Sequence, residues 1–224
     1  MKKTPPYLQP LQELFEENAN KTIAEGQSAY MRNMFSYYGL KTPERRMIFK
    51  EFIAAQTLPT YEELPALIKW MWQQPQREWQ YIAIELAAKM KKQWKEDFLE
   101  LIEYCITTKS WWDSVDAIAT DWAGNYFVLF PKQMQKVTAR WNKSGNMWLQ
   151  RVSMIFQLQY KLKTDEQLLF KHCKALIDSK EFFIQKGMGW ALRQYARHNM
   201  KAVQKFVDET KVSNLTKREA LKHA

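Results

Sequence analysis

Trp112 and Asp116 stand four residues apart in Ser110-Trp111-Trp112-Asp113-Ser114-Val115-Asp116, a separation that puts two side chains on one face of a helix. Further along the chain come Arg151 and Lys186, then Trp190 with Arg193 and Arg197 at three and seven residues beyond it. Together these types suit a polyanion backbone beside a reactive sugar. A carboxylate stabilises the oxocarbenium character that develops as a glycosidic bond breaks, and it orients or deprotonates the attacking water. Indole faces favour the same positive charge. Arginine and lysine hold phosphates. No second carboxylate offers itself as general acid, which fits a leaving group that is already cationic. Thr42-Pro43-Glu44-Arg45-Arg46 adds a helix N-terminus with two guanidinium groups, a further place for phosphate.

Asp116 stands out because an internal repeat says what should occupy its place. Four gapless segments align, opening at Trp79, Trp112, Trp148 and Phe183, at intervals of 33, 36 and 35 residues. Four places after each leading aromatic stand Ala83, Asp116, Val152 and Gly187. Three are small and apolar, so the place is a packing position, and a buried carboxylate there needs a partner or a function. One place earlier the series reads Ile82, Val115, Arg151 and Lys186, and three places later Leu86, Ala119, Ile155 and Trp190. Arg151 therefore has two readings: a phosphate ligand, or the interhelical salt-bridge partner of Asp116. Trp190 likewise reads as a groove aromatic or as core.

The elements that must position these residues are helices. Each aligned segment follows another amphipathic stretch, such as Phe98-Leu101-Ile102-Cys105 or Leu168-Leu169-Cys173-Leu176. Two-helix units at this period predict an all-α fold, an α-solenoid of HEAT-like two-helix repeats with a concave face. Thr42 is expected as an N-cap with Pro43 opening a helix through Ile48, Phe49, Phe52 and Ile53. Thr60 is expected to cap the next, which carries Leu64, Leu67, Ile68 and Met71. Pro75 precedes a helix from about Gln76 to Met90. Ser110 and Asp113 match a capping box, with Ser110 as the N-cap. Trp111, Val115, Ile118 and Trp122 form an apolar stripe expected to face the core, with Trp79 packing likewise. Connections are short, and no linker divides the chain, so residues 1–224 read as a single domain. Lys217 to Lys222 read as a last helical turn without an assigned role.

Composition supports this. Gly and Pro together are about 6% of the residues, half the usual share, too few for the turns of an all-β fold. Ten Trp exclude a disordered basic tail. The net charge of +10 points to a polyanionic partner. No stretch approaches the ~20 apolar residues of a membrane span, and Met1-Lys2-Lys3-Thr4-Pro5-Pro6 lacks the apolar segment of a signal peptide. Cys105 and Cys173 are expected to be buried thiols in a reducing compartment. His172, His198 and His223 are scattered, without metal-ligand spacing. A cytoplasmic protein with neither metal nor cofactor is expected.

Ser110-Trp111-Trp112-Asp113-Ser114-Val115-Asp116, Trp148-Leu149-Gln150-Arg151 and Gly189-Trp190-Ala191-Leu192-Arg193 together resemble the DNA alkylation-repair glycosylases of the AlkD type, in order and spacing over essentially the whole chain. The resemblance implies excision of N-alkylated purines, chiefly 7-methylguanine and 3-methyladenine, from double-stranded DNA, with the lesion left stacked rather than flipped out. It implies that Trp112, Asp116 and Trp190 form the groove aromatics and carboxylate, with Arg151 on the backbone beside the lesion. Tyr30 matches a further aromatic near the site, and Thr42, Arg45, Arg46 and Arg193 match backbone-contacting positions. Some relatives lack the carboxylate and groove tryptophans and bind unusual DNA structures without excision; this chain keeps all of them.

The expected protein is thus a glycosylase working as a monomer on alkylated duplex DNA, with no obligate protein partner. Two other readings stand beside it: a non-catalytic solenoid that binds branched or damaged DNA, and a protein-binding scaffold whose charge is incidental.

Overall fold

The leading aromatics mark where helices begin. In the computed structural model, which describes residues 3–222, Trp79, Trp112, Trp148 and Phe183 each fall in the first two residues of a helix. Met1, Lys2 and His223 lie outside the described residues. The helices are α1 (Gln9–Glu17), α2 (Lys21–Tyr30), α3 (Thr42–Ala55), α4 (Leu64–Gln73), α5 (Glu78–Lys89), α6 (Phe98–Thr107), α7 (Trp112–Ala117), α8 (Gly124–Leu129), α9 (Pro131–Asn142), α10 (Met147–Ile155), α11 (Glu166–Ala175), α12 (Phe182–Glu209) and α13 (Asn214–Ala220). Among the described residues there is no strand, only an isolated parallel bridge between Ser36 and Gln76. The fold is all-α.

The chain forms two compact units, one up to Trp94 and the other from Lys95 onward. In the first, α4 packs against α5 and α1 against α3. The predicted faces are inside: Ile48, Phe49, Phe52, Leu64, Leu67, Ile68 and Met71 are all buried. Ile53 is half-buried. Thr60 and Glu63 form a reciprocal box, the Glu63 amide donating to Thr60 Oγ1 at 3.3 Å and the Thr60 amide donating to Glu63 Oε2 at 2.8 Å, but it closes the turn ahead of α4, whose N-cap is Glu63 rather than the expected Thr60. The start of α3 differs from expectation by one residue. Lys41 is its N-cap and makes no side-chain cap bond, so Thr42 is already helical and Pro43 follows within the first turn.

In the second unit, pairs of helices stack in a solenoid-like order. α6 packs on α7, α9 on α10 and α11 on α12; α10 touches both α7 and α12, and α11 touches α9. Residues at the repeat's packing places are inside, with Ala119, Val152 and Ile155 at 0% exposure. Trp122 and Trp141 are fully buried. Polar caps start several helices: Asn146 Oδ1 accepts from the Trp148 and Leu149 amides (3.0 and 3.1 Å), and Asp165 Oδ1 accepts from the Leu168 amide (2.9 Å).

Three local features escaped the helical pattern. Ser110 is not the N-cap of α7. Its hydroxyl donates to the Ile106 carbonyl at 2.6 Å, so it serves the end of α6, where Lys109 turns left-handed (φ 49°). Trp111 takes the cap position with extended backbone and no side-chain cap bond, and Asp113 lies in the first turn. Second, α7 passes through a π-helical stretch, Ile118–Ala123, before continuing as α8. Gly124 follows it, where a Cβ would lie 2.7 Å from the Phe156 carbonyl oxygen. Third, α12 breaks at Asn199 (φ −147°, ψ 73°), whose Oδ1 accepts from the Ala202 amide and restarts the helix.

Candidate functional site

Asp116 lies on α7 one turn after Trp112, and its carboxylate meets Arg151 of α10. Arg151 Nε donates to Asp116 Oδ1 at 2.7 Å and Nη2 donates to Oδ2 at 2.8 Å, a bidentate pair. The two side chains are 16% and 6% exposed. A third donation, from Arg151 Nη1, goes to the Phe183 carbonyl in the first turn of α12. Three successive repeats therefore meet at one guanidinium. Burial pushes the Asp116 carboxyl above the usual carboxylate range, and the Arg151 hydrogen bonds and charge oppose that shift.

Gly187 completes the arrangement. A Cβ there would stand 2.8 Å from Arg151 Nη1 and 3.4 Å from its Cγ. In the repeat alignment Gly187 takes the place that Asp116 takes two repeats earlier, and its missing side chain is the space that the guanidinium fills. Trp190, three residues beyond Gly187 on α12, is half-buried rather than core, unlike Leu86, Ala119 and Ile155 at the equivalent places. Trp112 is also half-buried.

The salt-bridge reading of Arg151 is therefore the geometry observed. It leaves two N–H groups of the guanidinium outside these three donations. The carboxylate, for its part, keeps lone pairs beyond those that Arg151 occupies.

Trp111 is half-buried rather than a core residue. It packs against Phe183 (ring centroids 5.5 Å) and Trp148 (6.1 Å), which lie 5.0 Å from each other. Its indole Nε1 is buried without a hydrogen-bond acceptor among the described residues. The other expected packing indoles, Trp79 and Trp122, are inside at 1% and 0% exposure.

The remaining cations on α12 differ from one another. Lys186 and Arg193 both bind the Glu219 carboxylate of α13, whereas Arg197 is exposed. Sequence reasoning missed Glu219 and the Phe183 carbonyl, because neither departs from its local pattern.

The other candidates belong to the first unit. Tyr30, at the end of α2, is 72% exposed. It precedes Arg32 and Asn33, both left-handed at φ 56°. Thr42 and Arg46 are exposed. Arg45 turns inward: it is 5% exposed, lies over the Tyr81 ring at 4.6 Å and donates to Glu85 Oε1 at 2.8 Å. Arg46 Nε reaches the same oxygen at 3.4 Å, with 67% of its side chain open.

Among the described residues no group of three or more His, Cys, Asp or Glu could hold a metal ion. No helix among them is long and apolar enough to cross a membrane.

The family model for DNA alkylation repair enzymes matches residues 11–224. A solved structure described as a predicted DNA alkylation repair enzyme from Enterococcus faecalis is similar to this chain, with a TM-score of 0.85 and 33% identity, covering 92% of this chain and 96% of that one. Among curated proteins none matches. With the model match spanning nearly the whole chain and a similar solved fold, the chain belongs to the DNA alkylation repair enzyme family.

Proposed function

We propose that this protein is a DNA glycosylase that hydrolyses the N-glycosidic bond of cationic, N-alkylated purines such as 7-methylguanine and 3-methyladenine in duplex DNA. The observation that carries the reading is Asp116: a mostly buried carboxylate at a packing position, fixed at both oxygens by Arg151, with Trp112 one turn away.

In a 7-alkylated guanine the ring already carries positive charge. As the bond from C1′ to N9 breaks, its electron pair moves into the base and neutralises that charge, so no acid is needed on the leaving group. Positive charge then grows on the sugar. Asp116, aimed by Arg151 and unable to relax away, stabilises that charge and orients a water for attack at C1′. The water's proton passes to the carboxylate or onward to solvent. Trp112 and Trp190 offer indole faces to the same cationic sugar. Lys186, Arg193, Arg197, Tyr30, Thr42, Arg45 and Arg46 are the proposed backbone contacts, Arg45 acting through its hold on Tyr81 and Glu85. The lesion stays stacked, since the chemistry is approached from the sugar.

The bidentate pair also favours a second reading, a non-catalytic protein for branched or damaged DNA in which Arg151 merely neutralises Asp116. Release of 7-methylguanine from methylated duplex separates the two. Asp116→Asn is expected to slow release by about 10²-fold or more, the scale of losing one preorganised electrostatic group. Excision at the wild-type rate by that variant would sink the catalytic assignment.

A further inference from the structure

Glu219 joins two cations that would otherwise face outward from α12. Its Oε1 is 2.9 Å from Lys186 Nζ, and its Oε2 accepts from Arg193 Nη1 at 3.1 Å. The Glu219 side chain is 13% exposed, whereas Lys186 and Arg193 keep 37% and 26% of theirs open. These two charges hold its carboxyl below the usual range, so it stays ionised at neutral pH.

The helix that delivers Glu219 is anchored, so the contact is built in. Ser213 Oγ caps α13 by accepting from the Thr216 amide at 3.1 Å, and lies 3.0 Å from Gln185 Oε1. Thr216 Oγ1 donates to the Gln185 carbonyl at 3.1 Å. Gly189 provides the clearance: a Cβ there would stand 2.5 Å from Glu219 Cβ and 3.0 Å from the Thr216 carbonyl oxygen. A carboxylate spanning a lysine and an arginine uses two oxygens on two cations, the arrangement a phosphodiester would take.

We propose that Glu219 is a specificity-determining residue: an internal stand-in for a backbone phosphate that DNA must displace to engage Lys186 and Arg193. The inference rests on the DNA-binding reading given above. With Glu219 in place the cluster carries one net positive charge in place of two. Undamaged duplex, which offers phosphates alone, gains little by displacing the carboxylate. Affinity for bulk DNA is held down, and a site that supplies further contacts is favoured by comparison.

The test measures binding of a short undamaged duplex over a range of salt for wild type and Glu219→Gln, which keeps the side chain's size. The variant is expected to bind up to about tenfold tighter at low salt, and its plot of log affinity against log salt should steepen by about one counterion. Adding Lys186→Gln and Arg193→Gln to Glu219→Gln should erase that gain, with unchanged helical circular dichroism showing that the fold persists. Equal or weaker binding by Glu219→Gln overturns the proposal, since Glu219 would then position the cations rather than compete for them. Inorganic phosphate at matched ionic strength is the free-anion arm. Tighter binding of phosphate without tighter binding of duplex also overturns it. Absence of salt-dependent duplex binding by wild type is a different failure, that of the DNA reading itself.

Discussion

At the scale of single residues, Asp116 and Arg151 tie the observed structure to the proposed chemistry in one pair. Breaking a buried pair from one side strands the other charge and costs about 3–5 kcal/mol, whereas replacing both partners by well-packed hydrophobic groups of similar volume is often neutral. Asp116→Asn alone is therefore expected to be clearly destabilised. The double variant Asp116→Leu with Arg151→Met, which replaces both charges by apolar groups, should recover part of that loss in a denaturant titration. Its excision rate should stay as low as that of the single variant. Recovery of both stability and excision would mean that the carboxylate serves the fold alone. The oddity of Asp116 was legible in the sequence, because three aligned repeats showed what the position wants. The reason Gly187 is glycine was not, since it depends on where a guanidinium from another repeat ends.

At the scale of elements, the start of α10 sets where Arg151 points. Asn146 accepts from two amides there, and an N-cap of this kind contributes about 0.5–2 kcal/mol. Asn146→Ala is expected to lower the thermal unfolding midpoint accordingly and to reduce excision more than DNA affinity. An equal loss in both would remove Asn146 from the positioning of Arg151. Helix openings were legible because leading aromatics and caps are local. Thr60 found a local partner in Glu63, three residues away, although the N-cap of α4 is Glu63 itself. Ser110 also departed from its expected cap: its hydroxyl had two helices within reach, and the left-handed Lys109 gave it to α6. The π-helical stretch Ile118–Ala123 is equally illegible, because its residues have ordinary helical spacing. The wider turn ends at Gly124, where the chain comes close to the Phe156 carbonyl.

At the scale of the whole molecule, buried polar networks link stability to solution conditions. His172 is 2% exposed, and its Nε2 pairs with Thr138 Oγ1 at 2.9 Å. Asn142 joins Ser153 Oγ to the His172 carbonyl beside it. Burial lowers the His172 pKa to about 4. The folded imidazole therefore stays neutral below pH 6.5 while the unfolded one takes up a proton. Stability from this group is complete above about pH 6.5 and falls as pH drops toward 4, at about 1.4 kcal/mol per pH unit. Denaturation midpoints measured across that window should show the slope, and His172→Gln should flatten it. An identical slope in the variant would assign the effect to other groups. Contacts of this kind, like that of Glu219 with α12, join residues far apart in sequence. Neither periodicity nor capping rules could have revealed them.

Cys105 and Cys173 are buried thiols at 0% exposure, and burial raises the Cys173 pKa well above its ordinary value. A thiol is a nucleophile only as thiolate and only where a reagent can reach it. The family is named for repair of alkylated DNA, and electrophiles that alkylate DNA attack accessible cysteines too. Both sulfurs here are out of their reach for as long as the chain stays folded. Modification by a thiol reagent should therefore proceed no faster than structural opening and accelerate sharply with denaturant. Prompt labelling of native protein would show that the burial gives no such protection. Through that burial, the packing of α6 and α11 is expected to act as chemical armour against agents that alkylate DNA.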